Sequence, residues 1–323
     1  MGLVELEVGA PAHGGHCVAR LDGRVVFVRH TLPGERVRAQ VTSTGSRFWR
    51  ADAVEVLEPS DDRVDSPWPA AGPGGVGGAE LAHVRLEAQR RWKAQVLAEQ
   101  LRRLAHDDRL VTVLAAPGDD ERGGLAYRTR VDLVTDDEGR AGMFGWHSHE
   151  VHALDAMPLA VETIADLHLF DRVWPAQARI VVAAGADDPP VVVVDEDVWD
   201  LRRHCADQRP TARRAVREQV GDASYRVAAD GFWQAHRAAP GLLVEAVLAG
   251  VGDVDGAAVA DLYAGAGLFT VPLAAAVGEA GQVVAVEGDV RAVRDARRNV
   301  HHLPQVTLCA ADVRDGIAET IHC

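Results

Sequence analysis

The strongest chemical pattern in the chain lies in the stretch "VADLYAGAGLFTVPLA". Gly265 and Gly267 follow an apolar, strand-like run and precede a helix-like one. With no side chains at these two positions, a ligand can come up against the backbone at the carboxyl end of the strand. The next apolar run, "VVAVEGD", carries Glu287 about twenty residues further on, where an acid can accept hydrogen bonds from both hydroxyls of a ribose. A third run, "QVTLCAAD", leads to Asp312 at its carboxyl end, close to where an adenine would lie. Together these residues point to a nucleoside ligand without separating NAD from S-adenosylmethionine. The third glycine of a G-x-G-x-x-G loop is missing, because Leu268, Phe269 and Thr270 follow Gly267. Such a loop serves a pyrophosphate less well and favours a methionine-bearing nucleoside.

From residue 257 the elements that must hold these residues alternate β-α-β-α-β, which is one side of a doubly wound α/β sheet. In it "AAVADLY" reads as a buried strand, "GLFTVPLAAAVG" and "DVRAVRDARRNV" as helices, and Cys309 as a core position of the third strand. A helix is expected over 240–251. Between 110 and 230 the runs "RLVTVLAA", "LAYRTRVDLVT", "RAGMFGWHS", "ARIVVAAG" and "PVVVVDED" read as strands, with one helix around 160–170, as in an antiparallel α+β domain. Residues 85–105 form an amphipathic helix with Trp92, Val96, Leu97, Leu101 and Leu104 on one side. Its polar side has six basic residues against Glu87 and Glu99, which suits a solvated face or one turned toward phosphate. Residues 1–59 hold about five short strands separated by Gly and Pro-Gly turns, as in a small OB-like barrel. Phe48 and Trp49 in its last strand fit either barrel core or a base-stacking surface.

Composition narrows the function classes. The chain has 323 residues, 47% of them hydrophobic, enough for two or three domains. Its sequence has no apolar run of the roughly 20 residues a membrane span needs, and its N-terminus lacks the basic and apolar regions of a signal peptide. A cytoplasmic chain with no membrane partner is expected. Cys17, Cys205, Cys309 and Cys323 are far apart and form no C-x-x-C pair, against a disulfide framework or a zinc site. A net charge of −14 argues against general affinity for nucleic acid unless basic residues cluster. The barrel segment is close to charge balance and so is basic relative to the rest. Lys93 is the sole lysine among 34 basic residues; the others are arginines, which can pair with phosphate and stack on bases.

Taken together, "DGFWQAH", "DLYAGAGLF" and "VAVEGDVRAVRDARRNV" resemble the class I S-adenosylmethionine-dependent RNA (uracil-5-)methyltransferases, which modify tRNA or 23S rRNA. "GGHCVARLDGRVVFVRHTLPGERVRAQV" is similar to that family's TRAM domain, an RNA-binding β-barrel, while "YRTRVDLV" and "GMFGWHSHEV" are similar to its central domain. The resemblance runs collinearly over nearly the whole chain. It implies a TRAM barrel over 1–59, a central α+β domain over 60–230 and a Rossmann-like methyltransferase domain from 231 to 323. It further implies S-adenosylmethionine as cofactor, RNA (rRNA or tRNA) as partner, and a monomer. The family's cofactor contacts map to Gln234, Tyr263, Gly265, Gly267, Leu268, Glu287 and Asp312.

In the family a cysteine thiolate attacks C6 of uracil, C5 takes the methyl group, and a base removes the C5 proton. Both groups, and an Asp-Pro-Pro-Arg motif, lie beyond the third strand of the fold. The resemblance therefore assigns no catalytic residue here. Cys323, with no matching motif around it, is not read as the nucleophile. The chain is expected to be truncated, to bind cofactor weakly and not to methylate, with "AAVADLY" left as an exposed edge. The alternative expectation is an RNA-binding protein without catalysis.

One stretch remains, "PAAGPGGVGGAELAH", with five glycines from Gly72 to Gly78. Many family members place cysteine ligands of a [4Fe–4S] cluster here. The matching positions are Trp68, Val76, Ala79 and Met157, so no iron–sulfur cluster or other metal is expected, and Trp68 and Val76 are expected to pack inward.

Overall fold

The structure is a computed structural model and describes residues 2–314. The described residues divide into two compact units, residues 2–124 with 136–158, and residues 125–135 with 159–314.

The first unit opens with a closed barrel of β1 (Leu3–Ala12), β2 (His16–Leu21), β3 (Arg24–Arg29), β4 (Arg36–Thr44) and β5 (Phe48–Glu58), in the order β1-β2-β3-β5-β4. All neighbours are antiparallel except β3 and β5, which run parallel. Closure removes the free edges. Alternate residues fill the interior, among them Leu6, Val8, Cys17, Val26, Val28, Val37 and Ala51. The amphipathic helix α1 (Leu86–Gln100) adds Trp92 to that core, and a turn of wider helix continues it over Leu101–Ala105.

Where the barrel leads into the glycine-rich stretch, an ion pair is fastened below the surface. Glu35, fully buried, accepts hydrogen bonds from Arg63 Nε and Nη2 at 2.6 and 2.7 Å, and from the backbone N–H groups of Leu32 and Ser60. Burial alone would raise its pKa, but these donors outweigh burial and hold the carboxyl below its usual range.

The chain next contributes β6 (Arg130–Thr135) to the second unit and returns to the first for the hairpin β7 (Ala141–Phe144) and β8 (Val151–Ala153). The second unit continues with the short α2 (Glu162–Ala165), β9 (Arg179–Ala183), β10 (Val191–Val194), β11 (Asp197–Asp200) and β12 (Cys205–Ala206). Strands β12-β11-β10-β9-β6 pair antiparallel in that order. A separate hairpin, β13 (Ala215–Val220) and β14 (Ala223–Ala228), turns through Gly221 and Asp222 and packs Val216 against Val181, Val191 and Val193. Helix α3 (Ala239–Val251) precedes β15 (Ala258–Leu262), α4 (Thr270–Val277), β16 (Gln282–Glu287), α5 (Val290–Val300) and β17 (Val306–Ala310). Those last three strands form a parallel sheet in the order β15-β16-β17.

Three expectations need correction. "RLVTVLAA" forms no strand: Leu110 is 93% and Leu114 80% exposed, and a β-prone run without a ladder partner gains nothing from extension. Cys309 is half-buried rather than core. In β15 only Asp261 is buried, which corrects the reading of "AAVADLY" as a buried strand; among the described residues the strand pairs on one side alone, as the expectation of an exposed edge has it.

The glycine stretch has a structural purpose. Trp68 and Val76 pack inward as expected, Met157 is also buried, and Ala79 is half-buried. A side chain at Gly75 would lie 2.0 Å from the carbonyl oxygen of Ala70, so only glycine allows the loop to close on itself. Trp146 donates its backbone N–H to the Gly75 carbonyl, tying the loop to the β7–β8 hairpin. The four positions carry an indole, two aliphatic side chains and a thioether, a set that does not fit an iron–sulfur cluster. Among the described residues no group of three or more His, Cys, Asp or Glu side chains is arranged to hold a metal ion.

Candidate cofactor site

The parallel register sets β15, β16 and β17 side by side, with Leu262 opposite Val286 and Glu287 opposite Ala310. Their carboxyl ends therefore release Tyr263, Gly288 and Ala311 at one edge of the sheet. The chain leaves β15 through backbone that side chains disfavour, with φ +61° at Tyr263, +57° at Gly265 and +92° at Gly267. For Tyr263, a bulky residue 74% exposed, this conformation is strained and places the ring outside the sheet. A side chain added at Gly265 would meet nothing within 4 Å, so the loop faces open space there.

Glu287 is the hinge of the arrangement. Its Oε2 accepts from the Gly265 N–H at 2.8 Å and its Oε1 from the Asp289 N–H at 2.7 Å. A carboxylate offers about four acceptor sites, so both oxygens keep capacity for ligand donors. The sequence pairing of Gly265 with Glu287 is thus a direct contact. Asp312 follows β17, and its backbone lies close to Gly288. Arg314, paired with it at 3.0 Å, holds the Asp312 carboxyl down at about 2. Leu268 is buried with Ala266, Tyr225, Val227 and Trp233, and Gln234 follows that tryptophan in a half-buried loop. The seven positions thus occupy the strand ends and the segment next to Trp233. Contacts between the Gln234 or Asp312 side chains and the glycine loop do not form part of the described network.

Residues that sequence reasoning passed over hold the loop in place. Asp261 is buried, and Thr270 Oγ1 donates to its Oδ2 at 2.5 Å, joining β15 to the first residue of α4. Burial raises the Asp261 pKa, and the Thr270 hydrogen bond opposes that rise. On α5, buried Asn299 accepts from the Arg226 N–H at 2.8 Å and donates to the carbonyls of Arg226 and Ala266 at 3.2 and 2.8 Å. One turn earlier, Asp295 accepts from the Ala228 N–H at 2.7 Å. Helix α5 therefore fastens strand β14 to the glycine loop itself. The available signal was a pair of polar residues, i and i+4, on the otherwise apolar face that carries Val293, Ala296 and Val300.

Comparison with known proteins agrees with this layout. Residues 3–54 match the TRAM domain. Over 98% of its length the chain is 42% identical to an uncharacterized RNA methyltransferase of Streptomyces coelicolor, covering 75% of that protein. It is 32% identical to the 23S rRNA (uracil(1939)-C(5))-methyltransferase of Halomonas elongata, over 98% of this chain and 72% of that one. The chain belongs to the family of S-adenosylmethionine-dependent RNA (uracil-5-)methyltransferases. The crystal structure of the Pyrococcus abyssi tRNA (uracil-54, C5)-methyltransferase with S-adenosyl-L-homocysteine shares the fold, with a TM-score of 0.63 over 94% of this chain and 79% of that chain at 18% identity. Among the described residues no helix is long and apolar enough to cross a membrane.

Proposed function

We propose that this protein binds S-adenosylmethionine on the ends of β15, β16 and β17 and serves methyl transfer to C5 of a uridine in rRNA or tRNA, in the cytoplasm. The observation that carries the reading is the Glu287 carboxylate, fixed by the Gly265 N–H and still able to accept from ribose hydroxyls. Gly265 leaves room for the ligand against the backbone, Gly267 shapes the turn at positive φ, Leu268 is the apolar residue beneath it, and Asp312 stands after β17 at the end assigned to adenine. Tyr263 and Gln234 flank the loop. When bound, S-adenosylmethionine supplies the electrophilic methyl group; the residues here bind and orient it. The division into barrel (1–59), central (60–230) and Rossmann-like (231–323) domains belongs to the same reading, and so does the monomer.

Cys17 is no candidate for the attacking thiolate, since burial pushes its thiol up to about 12. Cys323 lies outside the described residues.

Calorimetric titration with S-adenosylhomocysteine tests the cofactor site. Glu287→Ala should weaken binding by about tenfold or more, the loss of a charge-assisted hydrogen bond. Binding unchanged in that variant refutes the placement. Incubation with a methyl-labelled donor and a uridine-containing RNA tests the product: label on a sugar or on another base overturns the uracil assignment.

A further inference from the structure

Residues 127–130, at the start of β6, grip a distant part of the chain on both sides of Gln234. On the near side, Arg130 reaches the turn that follows β14. Its Nη1 donates to the carbonyls of Ala228, Ala229 and Gly231 at 2.9, 3.1 and 3.1 Å. On the far side, the Thr129 N–H donates to the Ala235 carbonyl and the Arg237 N–H to the Tyr127 carbonyl, both at 2.8 Å. The rings of Tyr127 and His236 stack there with centroids 5.0 Å apart. Phe232, Trp233 and Gln234 span the gap between the two grips.

Core stability does not account for the arginine. It is 8% exposed, its Nε has no hydrogen-bond partner, and the carboxylate of Glu218 on β13 lies 3.5 Å away. An ion pair this loose does not offset the desolvation of a buried guanidinium, and an apolar side chain would fill the same space at less cost. What the guanidinium does instead is fasten three carbonyls of one turn. The turn is also tied to the cofactor end of the sheet. Asp230 within it pairs at 3.1 Å with Arg291, in the first turn of α5 just beyond Glu287.

On the cofactor reading above, ribose lies at Glu287 and adenine at the Asp312 end. The strand order β15-β16-β17 then leads the amino-acid end of the cofactor to the β15 side, where Trp233 packs with Leu268. A Gln234 amide beside that packing can donate to a carboxylate and accept from an ammonium group. We propose that Arg130 is a positioning residue for the cofactor: it fixes the Gln234 arm, and through that arm the fit of the cofactor's amino-acid end. The inference rests on the cofactor site proposed above and adds to it a buried residue of the neighbouring antiparallel sheet that touches no ligand.

The test compares two ligands by calorimetry on the full chain. One is S-adenosylhomocysteine; the other is 5′-methylthioadenosine, which keeps the nucleoside and thioether but lacks the amino-acid end. The readout is the ratio of the two affinities. Arg130→Met together with Glu218→Gln removes the guanidinium without stranding a buried carboxylate, and should lower the ratio by about tenfold. Arg130→Lys, with a shorter side chain that still carries donors, should lower it by about threefold, and serves if the double variant does not fold. Gln234→Ala should lower the ratio as well, and adding Arg130→Lys to it should lower it no further, because both changes act through one amide. A residue that merely stabilised the fold would shift the urea midpoint and leave the ratio at the parent's value. An unchanged ratio in the folded double variant, or in Arg130→Lys if that variant alone folds, overturns the proposal, and so does full additivity with Gln234→Ala. The two readings separate: a parent that binds S-adenosylhomocysteine, with variants of unchanged ratio, removes the role of Arg130 alone, whereas a parent that binds neither ligand removes the cofactor site and this inference with it.

Discussion

Replacing Asn299 by alanine should loosen the cofactor loop and the second unit together. The side chain makes three hydrogen bonds that span 73 residues to Arg226 and 33 to Ala266. Each is worth about 1 kcal/mol net, so about 3 kcal/mol is lost, with more for any group left buried and unpaired. At a urea slope of about 2 kcal/mol/M, the unfolding midpoint should fall by about 1.5 M. A stability loss alone would not touch cofactor affinity in the fraction that stays folded. The bond to the Ala266 carbonyl, however, lies between Gly265 and Gly267, so the loop should also lose its preset shape. Calorimetry with S-adenosylhomocysteine on the folded variant should show binding weaker by about tenfold, the equivalent of one hydrogen bond. Asn299→Asp sharpens the test. It keeps the acceptor for the Arg226 N–H and loses both donations, so it should weaken binding as much as alanine does. If either folded variant binds within twofold of the parent, the idea that α5 shapes the loop is wrong, whatever happens to the urea midpoint.

Two further outcomes follow from the first unit. His30 and His83 are pushed down to about 3 and about 4, first by burial and then by nearby charge: Arg29, His83 and Arg63 for His30, and Arg63 for His83, against the opposing Thr31 carbonyl and Glu35. In the unfolded chain they take up protons near 6.5, so stability is full above that value and falls as pH drops from about 6.5 through about 3. Thermal melts across that window should show the fall, and His30→Asn with His83→Asn should flatten it; a flat parent profile contradicts the burial. The Cys17 thiol, buried and raised to about 12, should resist iodoacetamide in the native protein at pH 8 while exposed Cys205 reacts. Peptide mapping that finds Cys17 alkylated before unfolding would show that the barrel interior opens.

The glycine turn after β15 and its contact with Glu287 were legible because they demand residue types that little else demands. Gly265 and Gly267 both sit at positive φ, and an acid is needed at the end of the second strand, so glycine and glutamate stand out against an apolar background. The barrel was legible for a similar reason, since its turns and alternation are local. The hairpin β13–β14 was passed over although the two-residue Gly221–Asp222 turn between alternating runs marks it. The run at 110–116 was misread in the opposite direction, with strand-like composition and no ladder to join.

What the sequence concealed are the bonds between distant segments. Asn299 and Asp295 read locally as polar residues on a helix, and only folding brings β14 beneath them. The same holds for Arg29 and Asp52, which lie in β3 and β5 and become neighbours because those strands run parallel in the barrel. A parallel pairing of non-consecutive strands leaves no local signature. This explains why the placing of Gly265 and Glu287 at adjacent strand ends could be expected from spacing while the buried arginine–aspartate pair could not. The glycine stretch shows both limits at once. Its composition suggested a ligand loop, yet the geometry requires Gly75 for the approach of the Ala70 carbonyl and packs Trp68, Val76 and Met157 inward at the positions that match cluster ligands in the family. Its edge, through Gly74 and Gly75, instead lines a cleft beside Arg29 and Asp52.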